Sequence, residues 1–201
     1  MSDPTPTLEW GVAAQSYPGE RACGDRHFIA DFDGGVMAGV VDGLGHGHEA
    51  EHAARLACDA LQRRAGRRLT EAVSAAHEEL RGSRGVALSV AAIDPAGGAV
   101  TWLGVGNVEA VLYRSRGGPR EVLVPRAGVV GYQLPSLRQA TVPMMVGDTL
   151  VMATDGVAAR FAQAEPRGAS AQSMAHAVLD AYGRRDDDAL VLVGRLLEHS
   201  S

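Results

Sequence analysis

Apolar positions along this chain come in two textures, and the changes between them mark its elements. Near the start, short runs rich in valine and glycine alternate with turn signals: LEWGVAAQ from Leu8, HFIADF from His27 and GVMAGVVD from Gly35. Runs of this length bounded by turn residues predict three strands. From His46 the texture changes. Ala50, Ala53, Ala54, Ala57, Ala60 and Leu61 recur at helical spacing while Glu49, Glu51, Arg55, Asp59 and Arg63 fill the other face, which predicts an amphipathic helix. A second helix is predicted over 69–80, starting at an Arg68 or Thr70 boundary, with Val73, Ala76 and Leu80 on one side. This helical pair is expected to cover one face of a sheet. Strand-like runs then return as GVALSVAAID from Gly85, AVTWLGVG from Ala99, EAVLYR from Glu109, REVLVP from Arg120 and DTLVMATD from Asp148. A helix over 170–182 and a last strand, ALVLVGRL from Ala189, complete the pattern. Residues 126–147, with their prolines and glycines, read as a long irregular excursion that borders a site. Strands in blocks with helices inserted in blocks indicate an α+β fold, in which two packed sheets flanked by helices satisfy every apolar face.

Composition narrows the picture. With 201 residues, 46% of them apolar, the chain can bury an ordinary core, and a single domain over 1–201 is expected. The net charge of -5, with arginine as the only basic residue besides histidine, offers no long cationic face for nucleic acid. No stretch reaches the roughly 20 apolar residues that span a bilayer, and Met1 to Thr7 lacks the regions of a signal peptide, so the expected location is the cytoplasm, with no membrane partner. Cys23 and Cys58 show no motif spacing and are expected to be free thiols. No heptad or apolar stripe is evident, which favours a monomer.

The chemistry lies in aspartates placed at strand ends. Asp25 precedes a strand in CGDRHFI; Asp42 closes one in GVVDGLGHG; Asp155 closes another in LVMATDGV; Asp186, with Asp187 and Asp188 beside it, opens the last in RRDDDALVLV. Carboxylates held there reach the rim of a sheet, and hard divalent cations such as magnesium or manganese require several such oxygens. A glycine follows both Asp42 and Asp155, which lets the chain turn sharply and brings a backbone carbonyl within reach of a cation. Taken singly, Asp-Gly is an ordinary turn and a run of aspartates an ordinary solvated end. Two apolar strands ending in Asp-Gly, together with a third that opens on an acidic triplet, carry the metal reading in combination.

GD before the second strand, VVDGLGHG, LGVGNVEAVLY, ATDG and DDDALVLV together resemble, in order and spacing, the metal-dependent protein phosphatases of the 2C type, in the small bacterial branch of SpoIIE-like and RsbX-like enzymes. The resemblance implies a four-layer αββα sandwich of two mainly antiparallel sheets and a centre of two Mn2+ or Mg2+ ions between them. It implies Asp42 bridging the ions, Asp155 and Asp186 on one of them, the Gly43 carbonyl on the other, and Asp25 acting directly or through water; Asp187 or Asp188 could exchange with Asp186. Arg21 is the candidate phosphate-binding cation. His46 is expected to organise its loop or cap the next helix, and Asn107 to order the site. Many relatives carry a histidine directly after Asp-Gly, where this chain has Leu44. The implied activity is serine/threonine phosphoprotein phosphatase, acting on phosphorylated STAS-domain proteins of a stress-signalling module, with 126–147 as a docking surface. The alternatives are a catalytically inactive phosphatase-fold binding module and a hydrolase of another phosphate ester.

Overall fold

The computed structural model describes residues 6–20 and 22–198. Two antiparallel sheets form its centre. The first has strand order β1-β10-β9-β6-β7 and is built from β1 (Thr7–Gln15), β6 (Glu109–Tyr113), β7 (Glu121–Leu123), β9 (Thr149–Ala153) and β10 (Ala189–Leu197). The second has order β2-β3-β4-β5-β8, from β2 (Asp25–Phe32), β3 (Gly35–Gly43), β4 (Val86–Asp94), β5 (Ala99–Val105) and β8 (Ala140–Pro143). Helices α1 (His48–Gln62) and α2 (Leu69–Glu79) lie on the outer face of the second sheet, and α3 (Ala171–Tyr182) on that of the first. This is the four-layer order expected from the resemblance.

Side-chain alternation explains the layers. Along β3, Ala38 and Val40 enter the cluster between the sheets, whereas Met37 and Val41 pack under α1 with Ala53, Ala57 and Leu61. Along β10, Leu190 and Leu192 face the other sheet while Ala189, Val191 and Val193 pack beneath α3. Fully buried Leu61, Leu69, Leu80, Leu103 and Leu112 each contribute about 1.5–3 kcal/mol of hydrophobic stabilisation. The helix expected from His46 begins at His48 behind Gly47, with no side-chain cap, so His46 does not cap it. Cys23 and Cys58 are separate thiols. Among the described residues no helix is long and apolar enough to cross a membrane.

The excursion over 126–147 is less irregular than its composition implies. It holds β8, which pairs with β5 over Ala99–Trp102, and Val130 exchanges two backbone hydrogen bonds of 2.9 Å with Val86. A 3-10 turn at Ala159–Gln163 is a second element without a clear sequence signal.

Candidate metal centre

Register brings the aspartates together. Asp25 opens β2 and Asp42 nearly closes β3, and the antiparallel pairing sets these two directly opposite one another. Cross-strand neighbours of this kind have Cβ atoms about 5 Å apart, where like charges destabilise. Asp42 shares its strand face with Val40 and Ala38, so this pair occupies the open end of the space between the sheets. From the first sheet, β9 ends and β10 begins at the same place. Thr154 pairs with Leu190 through a 3.1 Å bond to its carbonyl, and the Leu190 amide donates to Thr154 Oγ1 at 2.9 Å. Asp155 therefore emerges beside the acidic run that precedes β10.

Buried Thr154 connects the two sheets, its hydroxyl donating to Asp25 Oδ2 at 2.6 Å. Asn107, just before β6, donates to Asp155 Oδ2 at 2.7 Å, as expected of a residue that orders the site. The aspartate triplet divides its positions sharply: Asp186 is exposed, Asp187 half-buried and Asp188 buried. Asp188 accepts from the Tyr17 amide on Oδ1 at 2.7 Å and from the Gly24 amide on Oδ2 at 2.8 Å, which ties the β1–β2 loop to the start of β10. His46 organises its own loop from outside, with Nδ1 2.6 Å from Glu20 Oε1 and its ring stacked on Tyr17. Arg21 lies outside the described residues.

Both glycines after the aspartates are required by close approach, and neither adopts a left-handed turn. A Cβ on Gly43 would stand 2.2 Å from the Ala50 carbonyl oxygen in α1, and one on Gly156 would stand 1.8 Å from that of Asp188. The sharp turn expected after Asp155 is present, closed by the Val157 amide donating to the Thr154 carbonyl at 3.0 Å, whereas Gly43 stays within β3 with its backbone packed against that of α1.

Crowding is written in the electrostatics. Burial pushes Asp42 up to about 8, and the charges of Asp25, Asp155, Asp187 and Asp188 add to the shift. Burial pushes Asp25 up to about 7, against the Thr154 hydrogen bond, with Asp188, Asp155 and Asp187 again adding. Asp187 is raised by burial first and by Asp155 next. These carboxylates face one another without a cationic side chain among the causes of their shifts. Hard oxygen donors crowded in this way fit a divalent cation, which would lower the cost of ionising them together. Among the described residues, no three carboxylate, thiol or imidazole groups are already arranged to grip one ion. Water and backbone oxygen would have to complete the shell, as is common for magnesium. A surface hollow of about 510 Å³ lies away from this end, against Arg63, Arg64 and Arg67; one of about 400 Å³ lined by Cys23, Asp25, Arg26 and Glu51 opens beside the centre.

Sequence reasoning overlooked Thr154. Its signal was present: in ATDG it has the same strand parity as Leu150 and Met152, which fill the space between the sheets. The bonding role of Asp188 had no comparable signal, because the run of three aspartates does not fix its own register.

The family model of Stage II sporulation protein E (SpoIIE) matches residues 33–197. The chain belongs to the SpoIIE family. A curated relative, phosphoserine phosphatase RsbX of Bacillus subtilis (strain 168), is 23% identical over 179 residues, covering 89% of each chain. A solved chain described under the bacterial stressosome, as a modular system adapted to control secondary messenger signaling, is 29% identical with a TM-score of 0.85, covering 94% of this chain and 100% of that one. The crystal structure of RsbX in complex with magnesium is 22% identical with a TM-score of 0.85, covering 94% and 95% of the two chains. Family and fold together make this SpoIIE-family chain an RsbX-like phosphatase of the 2C type.

Proposed function

We propose that this chain is a divalent-cation-dependent serine/threonine phosphoprotein phosphatase, acting as a cytoplasmic monomer on phosphorylated STAS-domain proteins of a stress-signalling module. The observation that carries the hydrolytic part is the meeting of Asp25, Asp42, Asp155 and Asp187 at one open end of the sandwich, where burial and neighbouring negative charge raise the pKa values of Asp25, Asp42 and Asp187. The stress-signalling part is supported by the likeness to RsbX and to the stressosome chain.

Two Mn2+ or Mg2+ ions would be held by Asp42, Asp155, the Gly43 carbonyl and an aspartate of the triplet, with Asp25 acting directly or through water. In that last place we put Asp187 where the resemblance implied Asp186, because Asp186 is exposed and the charges acting on Asp25 and Asp42 include Asp187. Asp188 is already committed to two backbone amides. Bound cations of this kind supply an ionised water near neutral pH and neutralise charge on phosphoryl oxygens. The chain's own residues orient the donors. Asn107 occupies Asp155 Oδ2 and leaves Oδ1 for a cation, Thr154 fixes Asp25 through Oδ2, and Asp188 holds the β1–β2 loop against the centre.

The test is a substrate panel with Mn2+ present: phosphorylated STAS-domain proteins, p-nitrophenyl phosphate and a nucleoside monophosphate. Release of phosphate from the STAS proteins at a much higher kcat/KM than from the nucleotide is expected. Turnover of p-nitrophenyl phosphate with none of the STAS proteins would remove the assigned substrate; binding of the phosphoproteins without any turnover would move the chain to an inactive binding module.

A further inference from the structure

Three loops lie side by side next to the Asp42–Gly43 pair. The Leu44 amide donates to the Gly85 carbonyl at 3.1 Å. Gly85 in turn abuts the turn at 129–133, so closely that a Cβ there would stand 2.6 Å from Val129 Cγ1 and 3.8 Å from Tyr132 Cβ. Arg84 covers Gly45, where an added Cβ would lie 2.6 Å from its Nη1. The outward side chains of this ridge are Leu44, 36% exposed, Arg84, and Tyr132, 81% exposed and the most exposed of the large apolar residues among those described.

The backbone beneath Tyr132 is firmly held. Val129 and Gln133 exchange backbone bonds of 2.9 and 2.8 Å, the Gly131 amide donates to Nδ1 of buried His77 at 2.9 Å, and Val130 is fully buried. An aromatic presented on a fixed turn loses little conformational freedom when something lies on it. Arg84 is paired with Glu49, but both side chains are well exposed and such a pair is weakly held, so the guanidinium can exchange to an incoming acid. A permanent partner seated here would cover the centre one residue away, at Gly43. The occupant has to be one that leaves after each turnover.

We propose that Leu44, Arg84 and Tyr132 form the docking lip for the polypeptide that flanks the scissile phosphoserine, an inference that rests on the phosphatase reading of the neighbouring centre. An apolar substrate side chain lies on Tyr132 and Leu44, and an acidic residue close to the phosphoserine pairs with Arg84. The carboxylates of the centre repel an acidic segment, and Arg84 supplies the one contiguous cation in this ridge that favours it.

Two phosphoserine peptides of equal length test this, one with leucine and aspartate beside the phosphoserine and one with glycines, assayed with Mn2+ alongside p-nitrophenyl phosphate. The wild type is expected to prefer the first peptide by about tenfold in kcat/KM, mainly through KM, and Tyr132→Ala to cut that preference to the part that Arg84 supplies, about threefold. Tyr132 is so exposed that its truncation leaves the fold in place, and Tyr132→Phe is expected to keep the preference. No preference in the wild type, or an undiminished preference in Tyr132→Ala, overturns the lip while leaving the phosphatase reading intact. Failure of the wild type to turn over any of the three substrates overturns that reading, and the lip with it.

Discussion

The two ends of β9 carry aspartates with opposite fates. Asp148, just before the strand, is almost fully buried, yet burial is outweighed by the amides of Met145 and Ser115 and by the Arg114 guanidinium, and its pKa is held below the ordinary carboxylate value. Its Oδ2 accepts from Arg114 at 2.9 Å and from Met145 at 3.0 Å, and its Oδ1 from the Ser115 amide at 2.9 Å. At the other end Thr154 and Asp155 face Asp25, Asp42 and the acidic run, where burial and like charge push Asp25 up to about 7 and Asp42 up to about 8. Five residues of β9 separate a carboxylate whose partners the chain provides from a group whose partners it does not. The first is a structural joint, and the second, on the function proposed above, is where ions from outside would bind.

This contrast can be broken at either end, and the largest effects belong to the open end. Asp187→Asn is expected to lower cation-dependent hydrolysis of p-nitrophenyl phosphate by more than about 100-fold, beyond the range typical of residues that only orient ligands, while Asp186→Asn stays near the wild type. The reverse order would return the ligand role to Asp186. At the satisfied end, Asp148→Ala is expected to cost about 2–3 kcal/mol in denaturant unfolding, because the Met145 and Ser115 amides lose their acceptor while Arg114 keeps only Glu121 and the Pro143 carbonyl, with the folded protein still active. A loss of activity at full stability would mean that this end also serves the chemistry. Thr154→Val removes the hydroxyl that orients Asp25 and, with it, the acceptor of the Leu190 amide, and calorimetry on the folded variant should report Mn2+ affinity weakened by about 10- to 100-fold.

Much of this was legible in the chain, for physical reasons that also mark where legibility stopped. Long strands with one face under a helix and the other between sheets leave unbroken apolar runs, which is why β3, β4 and β10 stood out. β8 did not, because Ala140–Pro143 is a short, largely exposed edge strand that ends on proline and buries too little to leave a pattern. Asp25, Asp42 and Asp155 were identified by strand ends. The acidic triplet could not be resolved, since a one-residue slip along it leaves the composition unchanged but exchanges an exposed, a half-buried and a buried carboxylate. Asp148 and Asp155 look alike in DTLVMATDG, and only the tertiary partners separate them.

The smallest predicted effect is one of pH. Without metal, Asp25 and Asp42 bind protons more tightly folded than unfolded, so the stability they contribute is complete below about pH 4 and is lost as pH rises through about 7 and about 8. The melting temperature of the chelated protein should therefore fall between pH 5 and pH 8.5, a trend that saturating Mn2+ should oppose, because the cation binds the ionised carboxylates. Asp42→Asn should flatten that slope.

One measurement bears most directly on the claim that these aspartates form a cation site: thermal unfolding at pH 8 of the wild type and Asp42→Asn, each with chelator and with Mn2+. The account predicts that Mn2+ raises the wild-type midpoint strongly, that Asp42→Asn melts higher than the wild type in chelator because one repelling charge is gone, and that Mn2+ then adds little. A wild-type midpoint indifferent to Mn2+, with Asp42→Asn no more stable in chelator, would contradict it.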